Sequence, residues 1–386
     1  MAQSAHAQTE PQDANAEIIV TAQRRDENLS RTPVAVTVVS ADQLAKAQIV
    51  QANDLRQAAP GLSIRSGVSS EQLNFSLRGA TQDPYSNVRP GVMPYVNDVQ
   101  VGSQASSGAF YDLQSIQVLK GPQGTLFGRS ATGGAILFTT QKPTNELGGY
   151  ASGLVGNYGQ AKGEAAINLP LVDDELLLRV AGFYSRRDGF QYNLYNDQRI
   201  GKQRKYGVRT SLTARFGPSV ENELVVDYYH SRGQNTVGVI SGLLPFTGTG
   251  SPLVPAALLY AGTATPTATL TGECTLQAFA GLGACPPVLP SVAGFYQNYF
   301  AQPGRPNTGL DAQLAAQQAR GPYRVSVDGD NAIRTRNTVV TDTLTIDIGG
   351  GAKIKNIFGY TDVHYFMATD ADGTPYAISQ ESAEFG

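Results

Sequence analysis

The segment Gly121-Pro-Gln-Gly-Thr-Leu-Phe-Gly-Arg-Ser-Ala-Thr-Gly-Gly134 lies between two β-prone runs, IQVLK (116–120) and AILFTT (135–140). Five glycines and a cation after a strand suggest a phosphate loop, but the spacing is wrong. A P-loop places four residues between its first glycine and Gly-Lys-Ser/Thr. Here three residues separate Gly124 from Gly128, six separate Gly121 from Gly128, and the cation is Arg129. No G-x-G-x-x-G opens a helix, and the run that follows is β-branched and strand-like. The remaining reading is conformational. Gly121, Gly124, Gly128, Gly133 and Gly134 serve tight turns and close approach of backbones.

Outward from this segment, residues 33–145 read as a small mixed α/β domain. PVAVTVVS (33–40) is a strand, and Ser40 followed three residues later by Gln43 is a capping-box pattern for a helix. NDLRQAA (53–59) is a second short helix, stopped by Pro60-Gly61. LSIRS, LNFSLRG and VMPYVNDVQV supply further strands. Residues 65–72 and 80–90 are polar loops. On the other side of the opening segment, from Gly149, helical periodicity disappears. YGVRTSLTARFG puts Tyr206, Val208, Thr210, Leu212, Ala214 and Phe216 on one face, with Gly207, Arg209, Ser211, Thr213 and Arg215 on the other. NELVVDYY and TDTLTIDIG alternate likewise. A strand with an apolar face, a wet face carrying arginine, and a length well beyond the usual five or six residues suits a barrel wall between lipid and lumen. The joins agree. VDDE (172–175), GPSVEN (217–222) and GGG (349–351) are short, while 188–203 and 234–331 are long; GNYGQ is short on the long-loop side.

Composition narrows the classes. A net charge of −3 gives no electrostatic case for nucleic acid. No apolar run reaches the 18 residues of a spanning helix, which leaves barrel strands open. His6, His230 and His364 are scattered, so no metal constellation is visible, and no nucleophile–base arrangement appears; catalytic and metal-ligating residues are both read as none. Cys274 and Cys285, with ten residues between them, read either as a loop disulfide of an exported protein or as two free thiols. Ala5-His6-Ala7 has the small-x-small form of a signal-peptidase site without the apolar run that should precede it; a plain Ala-rich tail is the other reading. EIIVTAQRR (17–25) is a short strand in a loose tail. It either pairs with another protein's edge or begins the next domain.

The blocks PVAVTVVSADQLAKAQ, DLRQAAPGLSIR, FSLRGA, PYVNDVQV and DLQSIQVLKGPQGTLFGRSATGGAILFTTQKP (112–143), in this order, resemble the plug domain of TonB-dependent outer-membrane receptors. EIIVTAQRR resembles their TonB box. The similarity is strong over 17–145 and is only a style of strand over 149–386. It implies four regions: a signal remnant and disordered tail (1–16), a TonB box (17–25), a plug (26–148) and barrel strands (149–386) with a long extracellular loop near 235–331. In fold class this is a mixed α/β plug followed by antiparallel transmembrane strands. The resemblance implies a barrel of about 22 strands with a plugged lumen. Seven strands and the start of an eighth are counted here, so the sequence is expected to be the N-terminal part of a receptor.

The resemblance further implies a protein of the Gram-negative outer membrane that is no enzyme, uses no cofactor and takes up a scarce nutrient such as a ferric siderophore. Its partners are TonB with the inner-membrane energising complex, outer-membrane lipid and an external small-molecule ligand such as an iron chelate. Glu17, Ile18, Ile19, Val20, Thr21 and Ala22 are the expected TonB contacts. Tyr85, Asn87 and Arg89 are the expected ligand contacts, in loops forming the plug apex. Arg78, Gly79 and the glycines of 121–134 are structural, with Arg129 facing a carboxylate. Gln117 stands where the family often has Glu, Lys120 where it has Arg, and Asn97-Asp98 where it has Asp-Gly, which implies reorganised charged contacts. Uptake of carbohydrate, cobalamin or another chelate by the same fold is the alternative. A signalling receptor and a secreted β-adhesin fit less well.

Overall fold

The computed structural model describes residues 19–20, 27–28, 34–47, 49, 51–66, 69–81, 90–127, 131–239, 310–370, 373 and 380–385. Ile19–Val20 (β1) and Glu27–Asn28 (β2) pair only with each other, antiparallel. The strand-like run near residue 20 therefore neither joins the following sheet nor stands alone; it folds back on the chain just after it.

The next elements build one layered body. Val36–Ser40 (β3), Leu62–Ser66 (β4), Leu73–Leu77 (β5), Val92–Val96 (β6), Val99–Gln100 (β7), Leu113–Lys120 (β8) and Gly134–Thr140 (β9) are its strands. Five of them form a sheet in the order β3-β8-β9-β6-β7, with β4-β5 as a separate hairpin. Only the β6–β9 pairing in the five-stranded sheet is parallel. Ser40 closes its capping box: its Oγ accepts from Gln43 N at 3.4 Å and the Gln43 side chain accepts from Ser40 N at 3.0 Å. The second helix begins as a single 3-10 turn, Ala52–Asp54, before Leu55–Ala58.

The central strands read as unbroken apolar runs because both faces of the sheet are covered. Ile116, Val118, Ile136 and Phe138 pack with Leu55, Ile64 and Phe75 on one side. Leu119, Leu137, Met93 and Tyr95 pack with Phe127 on the other. The Tyr95 ring meets Phe127 edge-on at 4.9 Å, and its hydroxyl donates to the Phe127 carbonyl.

The glycine segment closes this body. Gly121 N donates to Gly133 O at 3.1 Å, tying its two ends. Gly124 departs from a pure turn, because residues Gly124–Phe127 form one helical turn. Gly134 has φ +150°, and a Cβ there would overlap the Leu119 carbonyl oxygen across the β8–β9 ladder. Gly134→Val is therefore expected to destabilise the plug by about 3 kcal/mol through strain and overpacking. A fall in the yield and unfolding temperature of the full-length protein would show it.

Two hairpins use left-handed turns. Asn97 (φ 45°) and Asp98 (φ 68°) join β6 to β7, and Arg78 (φ 51°) with Gly79 (φ 84°) joins Leu77 to Ala80. Both central residues have positive φ, as two-residue hairpin turns of matching twist require. Arg78 and Gly79 thus act through the backbone, and Asn97-Asp98 replaces Asp-Gly with residues that tolerate the same conformation.

The remaining strands make a wall. They are Gly148–Gly156 (β10), Gln160–Val172 (β11), Leu176–Arg187 (β12), Gln191–Asn193 (β13), Gln198–Ile200 (β14), Gln203–Arg215 (β15), Val220–Gln234 (β16), Arg324–Val325 (β17), Ala332–Gly349 (β18), Ala352–Asp370 (β19) and Gln380–Phe385 (β20). Eight of these pair in the order β10-β11-β12-β15-β16-β18-β19-β20, each antiparallel to the next. Three short turns, after β11, β15 and β18, lie at one rim, and the short turn between β10 and β11 lies at the other. At that rim too, β13, β14 and β17 form a small sheet over a cluster of Ile200, Val237, Val325 and Val327. No helix among the described residues is long and apolar enough to cross a membrane, which says nothing against strands.

Side chains alternate across the wall. On β15, Gly207, Arg209, Ser211 and Thr213 are buried while Tyr206 and Val208 are exposed. On β16, Asp227, Tyr229 and Ser231 are buried and Val226 is exposed. Tyr206 and Phe216 lie ten residues apart on the outer face. At about 3.3 Å per residue and a tilt of about 40° that is a rise of about 25 Å, the height of an apolar barrel band.

Candidate functional site: the interface between plug and wall

The inner face of the wall seats the plug through ion pairs and hydrogen bonds, with apolar contacts at Val339 and Val363 and around Tyr111, Ala166, Ala181 and Phe183. The polar contacts fall at three levels, which the strand register orders from the long-loop rim to the short-turn rim.

Nearest the long loops, Glu71 is fully buried. Lys205 Nζ on β15 lies 2.7 Å from its Oε1, and the Tyr229 hydroxyl on β16 donates to its Oε2 at 2.6 Å. Ser70 N donates to Asn235 Oδ1 at 3.1 Å, and Gln203 Nε2 donates to Ser70 Oγ at 3.1 Å. Part of the first polar loop is therefore held against the wall at the outer rim. Burial pushes the Glu71 carboxyl up, but the Lys205 charge and hydrogen bonds from Lys205, Tyr229 and Ser231 outweigh it and hold it below the ordinary glutamate range. A depressed carboxylate stabilises the folded state above its unfolded pKa, and this contribution is lost as pH falls through the folded value. Acidification below about pH 4 should lower the unfolding temperature of the wild-type protein more than that of Glu71→Gln, which already lacks the ionised pair. Unfolding curves at pH 7 and pH 3.5 check this.

At mid-height sits a denser cluster. Asp112, at the start of β8, receives both Arg179 Nε (2.9 Å) and Nη2 (2.5 Å) from β12, a fork-to-carboxylate contact. Its backbone N donates to Glu164 Oε1 at 3.2 Å. Beside it, Arg209 is 1% exposed. Arg209 Nε donates to Asp227 Oδ2 at 2.7 Å, and its Nη1 donates to the Tyr111 carbonyl at 2.6 Å. The guanidinium lies 4.1 Å from the centre of the Tyr111 ring. Burial raises the Tyr111 phenol well above the ordinary tyrosine range, so it stays neutral and donates to Asp227 Oδ1 at 3.0 Å.

Toward the short turns, Lys142 pairs with Glu223 and Lys355 Nζ lies 2.9 Å from Asp98 Oδ2, while Asn168, opposite Arg179 in the register, accepts from Thr144 N at 2.9 Å. Asp98 reaches the wall, and Asn97 Nδ2 donates to Thr140 Oγ1 at 3.0 Å within the plug.

Of the residues singled out from sequence, the structure places Ile19, Val20, Arg78, Gly79, Gly121, Gly124, Gly133 and Gly134. Glu17, Ile18, Thr21, Ala22, Tyr85, Asn87, Arg89, Gly128, Arg129, Cys274 and Cys285 lie outside the described residues. Sequence reasoning passed over Glu71, Asp112, Arg179, Lys205 and Asp227 as partners. The available signals were Glu71 as a lone acid in a Ser/Gly-rich loop and Arg209 on the wet face of a strand.

The family model for the TonB-dependent Receptor Plug Domain matches residues 28–135. Residues 28–135 thus match a TonB-dependent receptor plug, and the antiparallel strands of the wall follow from residue 148. It is similar to the pesticin receptor of Yersinia pestis, 34% identical over 191 residues that make up 49% of this chain and 28% of that protein. It is also similar to the ferrioxamine B receptor of Salmonella typhimurium, 28% identical over 57% of this chain and 30% of that one. Among solved structures, the ferric yersiniabactin uptake receptor of Yersinia pestis superposes with a TM-score of 0.64 at 20% identity, covering 89% of this chain and 43% of that chain. The chain thus spans under a third of the length of these two curated relatives. These relatives are receptors rather than enzymes.

Proposed function

We propose that the receptor to which this chain belongs takes up a ferric siderophore or another iron complex across the outer membrane, driven through TonB. The observation that carries the reading is the contrast between two kinds of packing. The plug has its own apolar core on both sides of its sheet. Its seat on the wall joins ion pairs and hydrogen bonds to two small apolar patches, at Val339 and Val363 and around Tyr111, Ala166, Ala181 and Phe183. Water filling the lumen can replace such contacts as the plug moves, because a hydrogen bond exchanged for one to water changes little, about 1 kcal/mol net. An apolar seat would have to expose its whole area.

In this reading residues 17–25 recruit TonB, 26–148 are the plug and 149–386 are wall. Outer-membrane lipid surrounds the strands. Tyr85, Asn87 and Arg89 contact the incoming iron chelate. The names of the relatives support an iron substrate. Carbohydrate, cobalamin or another chelate is the second reading, since the same seat would serve any plugged barrel.

The test is uptake of radioactive iron from a panel of ferric chelates by iron-starved cells, with and without the full-length receptor. One chelate at least should enter only with the receptor present, and a protonophore should stop it. Receptor abundance in outer membranes should also rise on iron starvation. Failure of every ferric chelate, with growth on a carbon source depending on the receptor instead, would move the substrate to the second reading.

A further inference from the structure

The outer face of the wall carries a row of four arginines that the register places directly opposite one another. Arg186 on β12 faces Arg204 on β15, Arg204 faces Arg232 on β16, and Arg232 faces Arg334 on β18. All four are exposed. They share the parity of Tyr206 and Val208, so they point away from the plug.

Like charges directly opposite on neighbouring strands repel and weaken a sheet. The inner-face cations avoid this: Arg179, Lys205 and Arg209 each have a carboxylate partner. The four outer arginines are not among the ion pairs of the described residues, and the contact they do make is Arg334 over the Phe366 ring at 5.7 Å. The same row continues through Phe366 on β19 to Glu384 on β20, two strands beyond Arg334, and Asp188 is exposed just past the end of β12; the next outward-facing row below adds no acid. It runs Tyr184, Tyr206, His230, Arg336 and His364 across the same strands and the next, β19. Asp362, one row further, is engaged by His364 at 3.5 Å.

The height of the row is telling. It lies one or two residues from the ends of β12, β15, β16 and β18 at the long-loop rim. The Tyr184–Tyr206 pair lies just below it, where a barrel places its aromatic girdle. Long loops face the outside in such barrels. The arginines therefore stand at the headgroup level of the outer leaflet. Strands about 4.8 Å apart spread four guanidinium groups over about 14 Å, more than one small anion can span. Arginine forks match phosphate oxygens in geometry as well as charge.

We propose that this row is a binding site for the phosphate groups of a phosphorylated glycolipid of the outer leaflet. The lipid supplies counter-charge beside the arginines, from which the acid of the row, Glu384, is two strands away, and its acyl chains lie along the apolar face below Tyr184 and Tyr206.

The test uses the full-length receptor in a zwitterionic detergent, with bisphosphorylated lipid A, its dephosphorylated form and inorganic phosphate as probes. Thermal protection and native mass spectrometry are the readouts. Bisphosphorylated lipid A should bind and raise the unfolding temperature, and the other two should not. Replacing all four arginines with glutamine should weaken binding by at least about tenfold, whereas replacing all four with lysine should keep most of it. Without lipid, the glutamine variant should unfold no earlier than wild type, because its repulsion is gone. If that variant does not fold, the pair Arg204→Gln and Arg232→Gln should still lose several-fold. Equal binding by the glutamine variants, equal protection by the dephosphorylated lipid, or binding of inorganic phosphate as an adventitious ion only would each overturn the proposal. Iron uptake is not read in this experiment, so its outcome is independent of the transport reading.

Discussion

Replacing Asp227 with alanine is expected to destabilise the folded receptor by about 3 kcal/mol or more, the largest stability effect of any substitution considered for the wall. The substitution strips Arg209 of contacts at 2.7 and 2.5 Å. It also removes the acceptor of the Tyr111 hydroxyl. The guanidinium is 1% exposed and would keep the Tyr111 carbonyl and the face of the Tyr111 ring. A buried charge left without its partner costs about 3–5 kcal/mol, and water entering from the lumen offsets part of that, which places the effect at the lower end. The control is the double replacement Arg209→Met with Asp227→Leu. Removing both charges together should recover most of the loss, since a buried pair gains little over apolar residues of similar volume. Unfolding temperatures of the full-length receptor in detergent measure both. A single-variant loss below about 1 kcal/mol would mean that the pair is solvated and behaves like a surface salt bridge.

The second large effect concerns the N-terminal strand. Ile19→Pro should reduce energised uptake by more than about tenfold while leaving ligand binding and receptor abundance unchanged. Ile19–Val20 pairs with Glu27–Asn28 over two residues. A ladder that short is marginal by itself and leaves a free edge to which a partner's strand can add. Proline removes the backbone donor and fixes φ. One lost hydrogen bond is worth about 1 kcal/mol. Together with the misfit of the ring it exceeds the 1.4 kcal/mol that corresponds to tenfold in affinity. Uptake at the wild-type rate, with equal amounts of receptor in the outer membrane, would remove residues 17–25 from the energy-coupling step. Ligand binding measured on the same cells separates this outcome from a misfolded plug.

The comparison of sequence with structure is clearest in the glycine segment and in Arg209. The chemistry of a phosphate loop could be refused from spacing alone, because it is a local property of a few adjacent residues. The same holds for the Ser40 capping box and the alternation that put Arg209 on the wet face, which follow from contacts within one helical turn and from the period of a strand. The left-handed pairs at 78–79 and 97–98, by contrast, fall inside LNFSLRG and VMPYVNDVQV, runs that read as continuous strands.

What faced Arg209 was a different matter. Its carboxylate is on the next strand, its carbonyl partner lies in the plug about a hundred residues earlier, and the ring beneath it belongs to Tyr111. Glu71 reads in the sequence as one acid in a polar loop, yet it is buried against Lys205 and Tyr229. Periodicity assigns a side chain to a face. It does not assign the angle around the wall at which the plug meets it, because that is set by the register of every strand between and by how a separately folded body sits inside. The same accumulation of registers lines up Arg186, Arg204, Arg232 and Arg334, which are scattered along the chain and look unremarkable one by one. The sequence by itself thus determined the class of fold, the two faces of its strands and the Ser40 helix cap. The tertiary structure alone decided which charges meet across the lumen and which are left facing lipid, because those are sums over many pairings rather than properties of any one segment.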